Sequence, residues 1–180
     1  ARNRLIDDLD RRRDLAAQYV GELQQAQLQI ERTLATADAA STAAALPIRP
    51  FRGDLDWPVA GRMLTPFGRS GPRTSAIPMQ SGIRFTATDD SPVRAVHDGT
   101  VVHAGPLTPY GNLVILYHGA QAFSMYGQLG AVLVERGVAV ERGHVLGRVG
   151  RILAGVPGLY FEIRIDGQPV DPLEWLRKQP

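Results

Sequence analysis

Apolar residues along the first 35 or so positions recur at helical spacing. Leu, Ile, Ala and Tyr stand three and four apart, divided by Arg, Asp, Glu and Gln, with no Pro and a single Gly, Gly21. This pattern predicts a helix. A heptad frame puts Leu9, Ala16, Leu23 and Ile30 at one core position and Leu5, Tyr19 and Ala26 at the other, with Arg12 interrupting. Such a stripe requires a surface to cover it. The frame favours the end of a coiled coil, and the alternative is an amphipathic helix lying on its own domain. Residues 36–50 turn to Ala, Ser and Thr and then to Pro47 and Pro50, which ends the helix and opens a linker.

From Trp57 the pattern changes to short apolar runs broken by glycine turns. Val93 to Val96, Asp98-Gly99 and Thr100 to Ala104 read as a hairpin. Further runs at Leu113 to Tyr117, Ala122 to Tyr126, Val132 to Val134, Val145 to Val149 and Leu159 to Ile165 predict strands. Asp166-Gly167 is a two-residue turn signal, and Asp171 to Leu176 predicts a short helical closure. The expected organisation is a helical coiled-coil segment over 1–46, a linker over 47–56, and a mainly β domain, a sandwich or barrel, over 57–180.

Composition narrows the classes of function. The 180 residues, 44% hydrophobic, suffice for one packed domain with an extension. Twenty basic and 18 acidic residues leave a formal charge of +2, without a basic stripe, so nucleic acid is not an expected partner. The absence of cysteine removes disulfides, thiolate metal sites and thiol nucleophiles. No apolar run is long enough for a membrane span. Ala1 in place of an initiator Met suggests a processed or trimmed piece, with any signal peptide upstream.

Catalytic motifs are missing. A zinc site needs three or four His, Cys or carboxylate groups within about 2.0–2.3 Å of the ion. The four histidines, His97, His103, His118 and His144, have no ligand spacing and read as surface or strand-end residues. Asp89, Asp90, Glu135, Glu141 and Glu162 read as turn or strand-face carboxylates without a visible partner. No nucleophile elbow, phosphate loop or metalloprotease helix is present.

The order of short motifs does carry a resemblance. Trp57-Pro58-Val59 with Gly61, Thr65-Pro66-Phe67-Gly68, Gly82-Ile83, Pro92-Val93-x-Ala95 and Asp98-Gly99-x-Val101 come first. Tyr110-Gly111-Asn112-x-Val114, His118-Gly119, Tyr126, Gly137-x-x-Val140-x-x-Gly143, Gly147-x-x-Gly150, Leu159-x-Phe161-Glu162-Ile163-Arg164 and Val170-Asp171-Pro172 follow. Over about residues 57 to 176 this series resembles the LytM (lysostaphin-like) peptidase domain. In that family a zinc ion is held by the His and Asp of a His-x-Gly-x-Asp segment and by the last His of a His-x-His segment. The resemblance puts Gln80, Arg84 and Tyr160 at those three positions, and Gly158 and Gln128 at the two catalytic histidines. It therefore implies a domain with no metal, no cofactor and no hydrolytic activity, because Arg84 places a fixed positive charge where a dication would sit. What remains is a groove, with Gln80, Ser81, Arg84, Tyr110, Leu113, Gln128, Tyr160 and Arg164 as candidate partner-binding residues. Tyr and Arg are the residue types that dominate binding hot spots.

Ser124-Met125-Tyr126-Gly127-Gln128 and Leu159 to Arg164, following a helical region, are most similar to the EnvC-type murein hydrolase activators. That resemblance implies a periplasmic protein that switches on zinc N-acetylmuramoyl-L-alanine amidases at the division septum, controlled by an FtsE-FtsX complex through the coiled coil, with peptidoglycan itself a further contact. It also implies that a helix from the coiled-coil side can cover the groove. The competing expectations are a periplasmic adaptor of an efflux or secretion assembly, from the helix and β-domain arrangement, and a residual zinc peptidase using other ligands.

Overall fold

The computed structural model describes residues 2–40, 47–68, 81–152 and 155–178. Helix α1 (Arg2–Ala40) is followed by ten strands: β1 (Gly61–Thr65), β2 (Ile83–Ala87), β3 (Pro92–Arg94), β4 (Gly99–Leu107), β5 (Gly111–Tyr117), β6 (Ala122–Val132), β7 (Ala139–Val140), β8 (Val145–Arg151), β9 (Pro157–Ile165) and β10 (Gln168–Val170). The pairings join all ten into one antiparallel sheet of order β1-β2-β9-β8-β6-β5-β4-β7, with β10 on β9 and β3 on β8, where the sequence suggested two layers or a barrel. No helix among the described residues is long and apolar enough to cross a membrane.

Of the strands expected from residue 113 onward, all form except Val132 to Val134, where Val132 ends β6 and the next two residues lie outside any strand. Asp166-Gly167 closes β9 onto β10 with both residues at positive φ (53° and 75°), the geometry of a two-residue hairpin turn. A 3-10 turn at Pro172–Glu174 follows, its first turn capped by the Asp171 side chain accepting from Leu173 N at 3.0 Å. The hairpin expected across Asp98-Gly99 does not form. β3 pairs instead with β8, and β4 with β5 and β7. The physical reason is that the turn serves distant partners. Asp98 Oδ1 accepts from Arg142 N at 2.7 Å, and its carbonyl bonds the ring of His118 at 2.6 Å.

Strand β9 lies at the centre, bonded to β2, β6, β8 and β10. Its alternation sorts residues between two cores. Leu159, Phe161 and Ile163 enter the larger core with Phe85, Tyr126, Leu146 and Trp175. Ile48 and Leu55, from the stretch expected as a linker, are fully buried in that same core. The opposite face carries a smaller core of Val102, Leu107, Leu113, Ile115, Tyr117, Phe123 and Met125, closed by Ile30 and Leu34 of α1.

Helix α1 therefore docks through its C-terminal half. Ala26, Ile30 and Leu34, spaced by four, are buried, whereas Leu15, Tyr19 and Val20 are exposed. The buried stripe follows the 3.6-residue period of a straight helix lying on its own domain, and no second helix pairs with it among the described residues. Burying Ile30 and Leu34 contributes about 1.5–3 kcal/mol each, a modest hold for a 39-residue helix.

Two histidines expected at the surface are core residues. His97 and His118 are buried, with ring centroids 5.7 Å apart, and Phe51 stacks on His97 at 4.6 Å. His118 Nε2 lies 2.7 Å from Ser124 Oγ, which is hydrogen-bonded to Tyr126 Oη at 2.9 Å, and Tyr126 Oη accepts from Val96 N at 3.1 Å. Nδ1–H donates to the Asp98 carbonyl, and the complete burial of the ring disfavours its charged form. Burial pushes His118 down to about 4, while its bond to Asp98 works the other way. The unfolded chain takes up this proton below about pH 6.5 and the folded chain only near pH 4. The stabilisation is thus complete above 6.5 and lost as pH falls towards 4, by about 3 kcal/mol in all. Urea unfolding followed between pH 7 and 4 is expected to show this loss, and His118→Gln to flatten it.

Candidate functional site

The candidate residues gather where β2, β6 and β9 run side by side. Arg84 and Tyr160 face each other across the β2–β9 ladder, and Gly127 faces Tyr160 across β6–β9. Two glycines make room for the tyrosine ring. A Cβ on Gly82 would come within 2.9 Å of Tyr160 Cζ and 2.5 Å of the Phe161 carbonyl, and one on Gly127 within 3.1 Å of Tyr160 Cδ1. The Tyr110 ring packs on Tyr160 at 5.4 Å, and the Arg84 guanidinium stands over the Tyr160 ring at 5.1 Å.

Alternation along β9 places Tyr160, Glu162 and Arg164 on this same face. The Tyr160 hydroxyl donates to Glu162 Oε2, and Arg164 Nε donates to Glu162 Oε1 at 2.5 Å. Glu162, expected as a partnerless strand-face carboxylate, is instead fully buried and holds both neighbours. Burial pushes its carboxyl up, against the opposing pull of Arg164 and the hydrogen bond from Tyr160. The Tyr160 phenol is driven well above its ordinary value by burial and by Glu162, so it stays protonated and donates. Tyr110 is pushed up to about 12, chiefly by burial and by Glu162, with Arg164 and Arg84 acting against the rise.

Helix α1 closes over one end of this cluster. Gln27 Oε1 accepts from Arg164 Nη2 at 3.2 Å, and Leu113 lies buried in the core closed by Ile30 and Leu34. Arg164, expected to line an open groove, is 1% exposed, and Tyr160 is also buried. Gln128, at φ 60°, donates its backbone N–H to the Tyr110 carbonyl at 2.7 Å. With Gly111, Asn112 and Arg151 it lines a groove with room for about 380 Å³. Ser81 is half-buried in the turn before β2. Gln80 lies outside the described residues.

The donor set does not suit a zinc ion. Among the described residues no three His, Cys, Asp or Glu side chains converge on a point. Tyr160 is a protonated phenol, Arg84 a cation, and both oxygens of Glu162 are engaged by Tyr160 and Arg164. Sequence reasoning missed Glu162 and Gln27. The even-numbered parity of 160, 162 and 164 in a run of strand residues was the available signal for the first; nothing local marks the second.

Residues 78–172, just over half of the chain, match the family model described as peptidase family M23. The chain belongs to peptidase family M23. Among M23 relatives, the murein hydrolase activator EnvC of Escherichia coli is 37% identical over 126 residues, covering 69% of this chain and 29% of that protein. The lipoprotein NlpD/LppB homolog of Pseudomonas aeruginosa is 35% identical over 131 residues, covering 72% of this chain and 42% of the other. The crystal structure of a zinc-containing peptidase from Vibrio cholerae has a TM-score of 0.60 at 25% identity, over 72% of this chain and 41% of that one. The chain thus spans less than half the length of each of these relatives. Zinc-containing and activator members share the M23 frame, so the side chains in the cleft, rather than the frame, must separate their chemistries.

Proposed function

We propose that this chain is a non-catalytic activator of cell-wall zinc N-acetylmuramoyl-L-alanine amidases, working in the periplasm and docking the amidase through the face that α1 covers. The observation that carries the reading is the buried Tyr160–Glu162–Arg164 chain with Arg84 over Tyr160; the family resemblance assigns Arg84 and Tyr160 to two of the zinc-ligand positions. A fixed guanidinium and a protonated phenol offer no site for a Lewis acid, whereas buried aromatic and arginine side chains suit a protein interface. The activator names among its relatives point the same way.

In this reading the docking face comprises Gln80, Ser81, Arg84, Tyr110, Leu113, Gln128, Tyr160 and Arg164, and α1 is its gate. A partner gains access only in the fraction of molecules from which α1 has lifted, so pulling on the helical region raises that fraction. An FtsE-FtsX-type complex acting through a coiled coil upstream is the proposed source of that pull. The adaptor reading draws no support from a match to a peptidase family.

The test is release of dye from labelled peptidoglycan. The amidase alone is expected to release little, and the amidase with this chain several times more. Release by this chain alone on addition of zinc, or no stimulation of any division amidase, would overturn the proposal.

A further inference from the structure

The cluster beneath α1 has more positive charge than its own side chains neutralise. Two guanidiniums, Arg84 and Arg164, accompany one carboxylate, Glu162, whose oxygens bond Tyr160 and Arg164, while Arg84 stands over the Tyr160 ring. Tyr110 and Tyr160 stay neutral, so the sum is one uncompensated positive charge. The donors tell the same story. Arg164 Nη1 and Arg84 Nε are buried and have no hydrogen-bond partner among the described residues, and Arg164 is 1% exposed. A buried guanidinium N–H left unpaired is costly, and a charged acceptor relieves that cost better than a neutral one. The acceptor that α1 offers is the neutral amide oxygen of Gln27, at 3.2 Å from Arg164 Nη2, while the Gln27 amide nitrogen donates outward to the exposed Glu31 carboxylate at 3.0 Å. Tyr160 links the two guanidiniums: Arg84 stands over its ring at 5.1 Å, and its hydroxyl bonds the same Glu162 that holds Arg164.

We propose that Arg84 and Arg164 form a carboxylate-binding site, its Arg164 side met in the covered state by the Gln27 amide and the whole site filled in the docked state by an aspartate or glutamate side chain of the partner. This rests on the reading of the covered face as the docking surface. The site is built to be under-satisfied by its own helix. Gln27 has the shape of a glutamate without its charge, so it holds α1 in place more weakly than a partner carrying the charge would bind.

The side chain at position 27 provides the test in the full chain. Made in a Glu31→Gln background, so that the new carboxylate does not face the one Gln27 now bonds at 3.0 Å, Gln27→Glu is expected to slow amide hydrogen exchange across residues 23–34 roughly fivefold and to raise the thermal midpoint by about 2–4 °C. High salt and Arg84→Gln are each expected to reduce the gain. Exchange that is unchanged or faster would overturn the proposal, because it would mean that repulsion from Glu162 governs the field. A gain undiminished by Arg84→Gln would overturn the two-arginine site. The partner side is read with a synthetic peptide of residues 18–36 added in trans to the full chain. The peptide carrying Q27E should bind about fivefold more tightly than the unaltered one, and equal affinity counts against carboxylate recognition. None of these readouts uses an amidase, so their failure would leave the activator reading standing, and failed amidase stimulation would leave the site standing.

Discussion

Replacing Arg164 by Ala is expected to remove about 3–5 kcal/mol of stability and, with it, amidase activation. Glu162 is completely buried, and the Arg164 Nε bond at 2.5 Å favours its charged form against the upward push of burial. Without the guanidinium the carboxylate must either remain charged in an apolar site or take up a proton, and burial already pushes it in that direction. The loss should therefore be largest at neutral pH and shrink towards pH 5, where protonation of Glu162 costs little. Chemical denaturation at both pH values checks this. The double replacement Glu162→Gln with Arg164→Met removes the charge and its counter-charge together, and is expected to recover most of the stability but none of the activation. If the double variant activates an amidase normally, Arg164 has only a structural role. Tyr160→Phe is the milder companion, since it removes one hydrogen bond and keeps the ring beneath Arg84.

Ile30→Asp is expected to open the gate. Ile30 is fully buried at the middle of the α1 stripe and packs with residues of β4, β5 and β6. A carboxylate there loses the apolar contact and must be desolvated without a partner, a combined cost of at least about 3 kcal/mol. That shifts the equilibrium between covered and open forms by more than about a hundredfold. The core formed on the other face does not include Ile30, so the sheet should stay folded while residues 23–34 lose their exchange protection. In the peptidoglycan assay this variant should stimulate the amidase without any upstream signal. Stimulation equal to that of the unaltered chain, alongside lost protection, would show that α1 is packing and not gating.

The strands after residue 110 were legible because each apolar run is bounded by its own turn residues, as at Asp166-Gly167. The pairing of β3 was not. Asp98-Gly99 has the composition of a hairpin turn, but both polar groups of Asp98 are committed to Arg142 and His118, residues far along the chain. The histidines were misjudged for a related reason. A buried neutral imidazole needs a donor and an acceptor on opposite sides, and Ser124 and the Asp98 carbonyl meet His118 only once β4, β5 and β6 are assembled. At the candidate site, the motif order located Arg84, Tyr110, Gln128 and Tyr160 in one cluster. The cover that Gln27 places on Arg164 was hidden because it depends on how α1 docks, and its stripe of Ala26, Ile30 and Leu34 departs from the heptad frame at Leu34. The role of Glu162 was hidden because its partners are two residues away on either side along its own strand.

The central position of β9 separates two properties that could otherwise have been entangled. Its odd-numbered residues are locked into the larger core and its even-numbered ones lie on the other face, where Arg164 meets α1 through Gln27, so loss of the helix leaves the ladder and its backbone bonds in place. How firmly the lid sits is written mainly in residues 23–34, and what the uncovered plate can recognise is written in the sheet. Substitutions on the helix can then retune the threshold of release over a wide range while the recognised partner stays the same.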